Sequence, residues 1–257
     1  MRGIFLITFM FIAASTAKAD FDDAVIWKYS FNSGDNYSGR SKSDEKRFGS
    51  IFLHCNIHRI DSYNWNYINA SYNSNRANLG LEFSSVGYDD YYQRNKYRIG
   101  AGYRFCDNIK IRPLLEISSE KFKGYDSFTG LNGELIAEFV YGEYRASIGL
   151  VDIQMKKPYE VSGNESIKPV VSGSWLFEPG MVLSVGVRRF ENRRIRWIFN
   201  QFVSVNDYLA LEFSYMNKPS NLTGGLEIKL KGFSLIVSYF SVSGLDDSII
   251  WGISYGD

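Results

Sequence analysis

After residue 20 the chain has no apolar run of the roughly 18 residues that a membrane-crossing helix needs. No helical apolar period is sustained either, so a bundle of amphipathic helices is excluded. Cysteine is scarce: Cys55 and Cys106 are the only two, which excludes a cysteine-rich scaffold and a thiolate metal cluster. The only histidines, His54 and His58, are too few to hold a metal alone. Neither charge dominates: Lys plus Arg is 29 and Asp plus Glu is 28, so no basic excess exists to attract nucleic acid. No Gly-rich loop opens a helix, and G-x-S-x-G is absent.

What remains is mostly patterned. The chain begins MRGIFLITFMFIAASTAKAD. Arg2 is a short positive n-region, Gly3 to Ala14 an apolar core, and AKA at 17–19 a small-x-small cleavage site. A signal peptide over 1–19 is therefore expected. Its removal takes away Arg2 and Lys18 and carries the formal charge from +1 to −1. Aromatics make up 16% of the chain, a level that suits strands with lipid on one side and water on the other.

Strict alternation supplies those strands. In NKYRIGAGYRFCDNIKIRPLLEIS, Tyr97, Ile99, Ala101, Tyr103 and Phe105 share one face, and Lys96, Arg98, Gly100, Gly102 and Arg104 the other. A strand repeats every two residues, so each run has one apolar and one polar face. Similar stripes recur to the C-terminus: Ile51–Leu53–Cys55, Ile68–Ala70–Tyr72, Leu131–Leu135–Phe139, Leu209–Leu211–Phe213 and Ile249–Trp251–Ile253 among them. They predict fourteen strands from residue 48 onward. Tight connections (107–108, 142–143, 178–180, 204–207, 231–232) alternate with longer ones, including 87–95, 119–130, 151–169 and 188–194. A β-sandwich has no reason to keep that phase, whereas a barrel with short periplasmic turns and longer outer loops does. Backbone groups in hydrocarbon must be paired internally, so a sheet there closes on itself. The fold class expected is an all-β, transmembrane, up-and-down antiparallel β-barrel of about 14 strands, with 12 or 16 left open. The domains are a signal peptide at 1–19, an N-terminal periplasmic or lumen segment at 20–47, and the barrel at 48–257. Segment 20–47 carries an apolar stripe of its own, Val25, Trp27, Tyr29 and Phe31, followed by a polar stretch. It stands outside the turn-length phase, which favours a place in the lumen.

Candidate functional residues are those the alternation turns inward. They are Arg98, Arg104, Arg112, Glu116, Glu134, Glu138, Arg145, Arg188, Arg196, Glu212, Glu227 and Lys229, expected to line the lumen. Opposite charges on neighbouring strands can pair and brace a narrow lumen, or set the selectivity of an open one. Reversing Glu134 is accordingly expected to be tolerated better than a charge at Leu135. HCNIH at 54–58 places His54 and His58 on the polar face and Cys55 on the lipid face. Some outer-membrane lipases and deacylases set a His and a Ser two apart on a barrel strand; here Asn56 stands there, and no catalytic residue is assigned. Cys55 and Cys106, on the first and fourth strands, are too far apart to form a disulfide.

By pattern over 48–257 the chain resembles a Gram-negative outer-membrane β-barrel protein. Its last strands, NKPSNLTGGLEIKLKGFSLIVSYFSVSGLDDSIIWGISYGD, are similar to the C-terminal ends of fatty-acid-transporter-like and secretion-associated 14-strand barrels. The resemblance implies an outer-membrane location, contact with outer-membrane lipid and lipopolysaccharide, and insertion by the barrel-assembly machinery. The aromatic that this machinery reads is Tyr255. The function expected is a passive channel or carrier for small or amphipathic solutes, with no cofactor. A non-conducting structural or secretion-associated barrel is the alternative, followed by an outer-membrane lipid hydrolase and a secreted β-sandwich.

Overall fold

A computed structural model describes residues 47–57, 63–74, 76–88, 91–156, 167–178, 180–189, 195–217, 220–242 and 247–256. The expected signal peptide, most of segment 20–47 with its Val25–Phe31 stripe, and His58 lie outside the described residues. The strands are β1 (Arg47–Ile57), β2 (Tyr63–Asn73), β3 (Ala77–Tyr88), β4 (Tyr92–Cys106), β5 (Ile109–Phe122), β6 (Phe128–Tyr141) and β7 (Tyr144–Lys156). There follow β8 (Lys168–Glu178), β9 (Met181–Arg189), β10 (Ile195–Asn206), β11 (Leu209–Asn217), β12 (Ser220–Leu230), β13 (Phe233–Val242) and β14 (Ser248–Gly256). Each pairs antiparallel with its sequence neighbours, and β1 pairs antiparallel with β14, closing a 14-strand barrel. Closure leaves no sheet edge, which is the condition for a sheet to survive in hydrocarbon.

One rim of the barrel carries tight turns. Gly142 and Gly232 sit in two of them with φ of 57° and 77°, a region closed to most side chains. The first and last strands both end at this rim, since Gly49 faces Gly256 across the ladder. The opposite rim carries most of the wider connections, the longest being 157–167, with 218–219 between β11 and β12 a tight exception. Several are shorter than alternation alone predicted. β4 and β5 run on to Tyr92 and Phe122, where Arg94 Nη1 lies 3.9 Å from Glu120 Oε1. Backbone pairing does not stop where the apolar stripe stops, so the ladder continues into a zone polar on both faces.

The outward face is apolar and ends in aromatic girdles. Near the turn rim, ring pairs stand at Tyr103–Phe105 (5.1 Å), Tyr144–Trp175 (5.7 Å) and Phe233–Tyr255 (5.0 Å). Toward the loop rim stand Phe83–Tyr97 (5.1 Å), Trp197–Tyr215 (5.1 Å) and Phe52–Trp251 (6.1 Å). Leu81, Ile99, Leu135, Ile148 and Leu211 fill the band between, all exposed. Such a band would be insoluble in water but is matched to a bilayer, with aromatic rings at both interfaces.

On β1 the expected facing is reversed. Leu53 and Cys55 are fully buried and face the lumen, while Phe48, Phe52 and His54 face outward. The cause is that the more apolar stripe of β1, Ile51, Leu53 and Cys55, meets other apolar side chains in the lumen, so its own pattern points the wrong way. Its neighbours choose for it: Phe52 falls opposite Ile68 on β2 and Ile253 on β14, both outward. Leu53 then lies across Gly252, where a Cβ would come within 2.6 Å of Leu53 Cδ2.

Both thiols are free, as expected, but Cys55 is buried and Cys106 exposed. A water-soluble alkylating reagent should therefore modify Cys106 in the folded protein and reach Cys55 readily only after denaturation. Equal, rapid modification of both would contradict the facing of β1.

Candidate functional site: a charged lumen with one apolar wall

The lumen is built by register. Glu82 on β3, Arg98 on β4 and Glu116 on β5 are ladder partners in one row, so their side chains leave the same face side by side. Glu134 comes from β6, where it is opposite Leu114. Arg98 collects all three. Its Nη1 is 3.1 Å from Glu82 Oε2, its Nε 3.1 Å from Glu116 Oε2, and its Nη2 2.5 Å from Glu134 Oε1. The Nη groups donate along good hydrogen-bond lines, whereas Nε faces Glu116 as an ion pair off that line. Asn69 Nδ2 donates to Glu82 at 3.5 Å and Asn132 Nδ2 to Glu116 at 3.2 Å. The group bears one positive and three negative charges, and the Arg98 side chain is only 9% exposed.

Toward the turn rim the same wall becomes cationic. Arg112 is buried, with Nη1 4.0 Å from Glu138 Oε2. Lys110 is opposite Glu138 in the ladder and Arg104 is opposite Lys110; Arg104 is exposed at the rim. Arg145 is half-buried, opposite Ser174. Across the barrel, Arg196 on β10 is buried near the loop rim. Arg188 occupies the ladder position opposite it on β9. Lys168 is also buried at that level. Glu212, Glu227 and Lys229 are half-buried on β11 and β12, and Lys229 Nζ lies 5.6 Å from the centre of the Phe202 ring. The expected lumen residues thus divide into Glu116 and Glu134 gathered on Arg98, a second group of Arg104, Arg112 and Glu138 nearer the turn rim on β4–β6, and separate positions on β7–β12. Among described residues no group of three or more His, Cys, Asp or Glu could hold a metal.

Alternation missed two things. Glu82 is the first, an inward acid on a strand whose opposite face carries the apolar stripe Leu79, Leu81 and Phe83. The second is an apolar lumen wall on β13, β14, β1, β2 and β3, made by Leu53, Cys55, Trp65, Tyr67, Val86, Ile236, Phe240 and Ile250. The Trp65 and Tyr67 rings are stacked at 5.8 Å. A signal existed: SLIVSYF and SIIWGI are continuous rather than alternating, the mark of a strand apolar on both faces.

His54 stands outside the lumen, contrary to expectation. On the outward face its Nδ1 is 2.7 Å from Asn66 Oδ1, a pairing in which the ring N–H donates. Its ring centre is 5.3 Å from that of Trp251. A base held by an amide is part of a nucleophilic site, but a hydroxyl or thiol must lie within about 2.6–3.2 Å of the free ring nitrogen. The outward neighbours of His54 are Asn66, Trp251, Phe52 and Ile68. Among the described residues, none of these four has such a group. The pair instead sits where the outward face turns from apolar to polar, a level at which amphipathic rings are at home.

No protein-family model matches the chain, and no curated protein matches it. Solved structures do. A deletion mutant of TodX, titled a monoaromatic hydrocarbon channel, superposes with a TM-score of 0.57 at 9% identity, covering 84% of this chain and 91% of that one. A mutant Rh. blastica porin gives 0.46 at 5% identity, over 83% and 99% of the two chains. The KdgM porin gives 0.45 at 13% identity, over 80% and 98%. At such identity the likeness is one of fold. The TodX superposition supports the closed barrel and leaves the chemistry of the lumen to be argued from this chain's own residues.

Proposed function

We propose that this protein is an outer-membrane channel of a Gram-negative bacterium that passes small solutes and prefers anions. The observation that carries the reading is the opposition of faces: an apolar, aromatic-girdled exterior around a wall rich in ionised groups. On the inward face of the described strands the lysines and arginines (Arg94, Lys96, Arg98, Arg104, Lys110, Arg112, Arg145, Lys168, Arg196, Lys229) outnumber the glutamates (Glu82, Glu116, Glu120, Glu134, Glu138, Glu212, Glu227). Fixed charges lining a narrow water path raise the local concentration of counter-ions and set selectivity. Outer-membrane lipid, lipopolysaccharide and the barrel-assembly machinery are the partners that this location supplies.

Reconstitution in a planar bilayer under a salt gradient tests the reading. We expect ion conductance with a reversal potential on the anion-selective side. Lys110→Gln with Arg145→Gln should move the permeability ratio toward unity without loss of the barrel. A folded protein that conducts nothing would favour a structural or secretion-associated role, and cation selectivity would remove the anion preference.

A second reading draws on the apolar wall. The lumen joins an apolar wall to the ionised station on Arg98, a pairing of surfaces that suits an amphipathic solute. The resemblance of the last strands to fatty-acid-transporter-like barrels points the same way. Saturable uptake of an amphipathic solute, competing with its own analogues, would distinguish this carrier from a simple pore.

A further inference from the structure

At the turn-rim end of the charged wall one side chain is buried with its hydrogen bonds unmade. Asn78, the second residue of β3, is four residues before Glu82 and shares its inward face. It is 3% exposed, and among the described residues neither its Nδ2 nor its Oδ1 has a hydrogen-bond partner. A buried amide with no partner is costly, and folded proteins keep few of them. The surroundings are built around it. Asn78 is the ladder partner of Gly102 on β4, and its amide occupies the space above that glycine: a Cβ there would collide with Asn78 Oδ1. The same Cβ would come within 2.9 Å of Lys110 Cε, so the Lys110 stem reaches across from β5 to the amide. Arg104 is the ladder partner of Lys110, and Arg112 is the next inward residue of β5. Glu138 is opposite Lys110 on β6, with its Oε2 4.0 Å from Arg112 Nη1. At this level the described wall therefore carries three cations and one carboxylate, the reverse of the balance at Arg98.

We propose that this notch is a binding subsite for a small oxyanion that keeps a proton, with hydrogen phosphate as the type. The proposal rests on the channel reading and names a solute class for the same wall. The positive balance selects an anion. The Asn78 amide selects among anions. Its N–H end donates to a ligand oxygen, as an ammonium or guanidinium does, but its C=O end can only accept. An anion that satisfies both ends must carry an O–H beside its charged oxygens. Hydrogen phosphate has both on one tetrahedral centre. Sulfate has the same shape and charge but no proton to give. Lys110 carries its ammonium on a flexible four-carbon stem, so it can swing onto the bound anion and uncover the amide as it does so. Gly102 is what leaves room for the amide to meet that anion, since a side chain there would push Asn78 aside.

Titration calorimetry of the refolded barrel in detergent, with inorganic phosphate and with sulfate at equal ionic strength, tests the subsite. In mildly alkaline buffer phosphate is chiefly the monohydrogen dianion and matches sulfate in charge. Phosphate should bind more tightly than sulfate on the order of tenfold, the difference that one hydrogen bond makes. Asn78→Ala should lower the affinity for phosphate more than that for sulfate and so erase the preference. Gly102→Ala, which displaces the amide but keeps every charge, should act in the same direction. The comparison of the two anions on the parent protein depends on no variant folding. Equal affinity for phosphate and sulfate, no measurable binding of phosphate, or a preference that survives in folded Asn78→Ala overturns the proposal and assigns the amide to lumen water. The readout does not use conductance, so the two readings fail separately: a barrel that conducts anions but does not sense the proton on phosphate keeps the channel and loses the subsite.

Discussion

Leu135→Arg removes the folded, heat-modifiable barrel, while Glu134→Gln, one residue away, keeps it. Leu135 is 48% exposed on the outward face of β6, opposite Pro113 on β5 and Leu150 on β7, between the two girdles. An arginine at that depth must be dehydrated or must drag water and headgroups into the hydrocarbon. In transmembrane barrels this costs about 2–4 kcal/mol near the midplane. That is a large part of the net stability of a protein this size. Glu134 points the opposite way, and its amide analogue fits the same space with one hydrogen bond to Arg98 retained. The choice of control matters. Alternation alone predicts that Glu134→Arg is well tolerated, since the residue faces the lumen. The structure corrects this, because Glu134 holds Arg98 and a second arginine there would meet a like charge. Gel mobility with and without boiling, together with denaturant titration in detergent, measures both variants. Equal damage from Leu135→Arg and Glu134→Gln would mean that the two faces of β6 are not lipid and lumen.

The fold was legible because a transmembrane barrel obliges its strands to advertise themselves. Hydrocarbon on one face and water on the other impose a period of two, and β4, β5, β7 and β10 obey it closely. Legibility failed where one of those solvents was missing. β1, β2, β13 and β14 carry apolar residues toward the lumen as well, so the more apolar face of β1, Ile51–Leu53–Cys55, is the lumen face although its pattern reads as lipid-facing. Only the register against Ile68 and Ile253 decides it. The site was legible to the same depth. Alternation put Arg98, Glu116 and Glu134 on the inward face, but a face is not a contact. That Glu82 joins them follows from a ladder partnership between β3 and β4 that only the pairing of strands fixes. The same limit applies to His54, whose company of Asn66 and Trp251 comes from two other strands, one of them at the far end of the chain.

Arg98→Gln should destabilise the barrel more than any other single change in the lumen. The guanidinium contacts Glu82, Glu116 and Glu134 together, and it reaches all three because its fork presents donors in several directions. Glutamine leaves three carboxylates facing one another at a site where the arginine was 9% exposed. Removing one partner of a buried ionic group costs about 3–5 kcal/mol, chiefly from the charges left uncompensated. The cost has a recognisable structure. Adding Glu82→Gln to Arg98→Gln removes one of the stranded charges and should return part of the loss, so the two substitutions are non-additive in a double-mutant cycle. Arg98→Lys keeps the charge but not the fork, and should fall between the parent and the glutamine variant. Denaturant midpoints of the five proteins (parent, Arg98→Gln, Glu82→Gln, the double variant and Arg98→Lys), refolded in the same detergent, give the comparison. If Arg98→Gln stays within about 1 kcal/mol of the parent, as exposed ion pairs do, the cluster is washed by lumen water and braces nothing. If it loses the expected amount and Glu82→Gln restores part of it, the station on Arg98 is a brace. It ties β3, β4, β5 and β6 together at one level, and the same charges that solutes meet in the lumen then also hold that side of the wall in register.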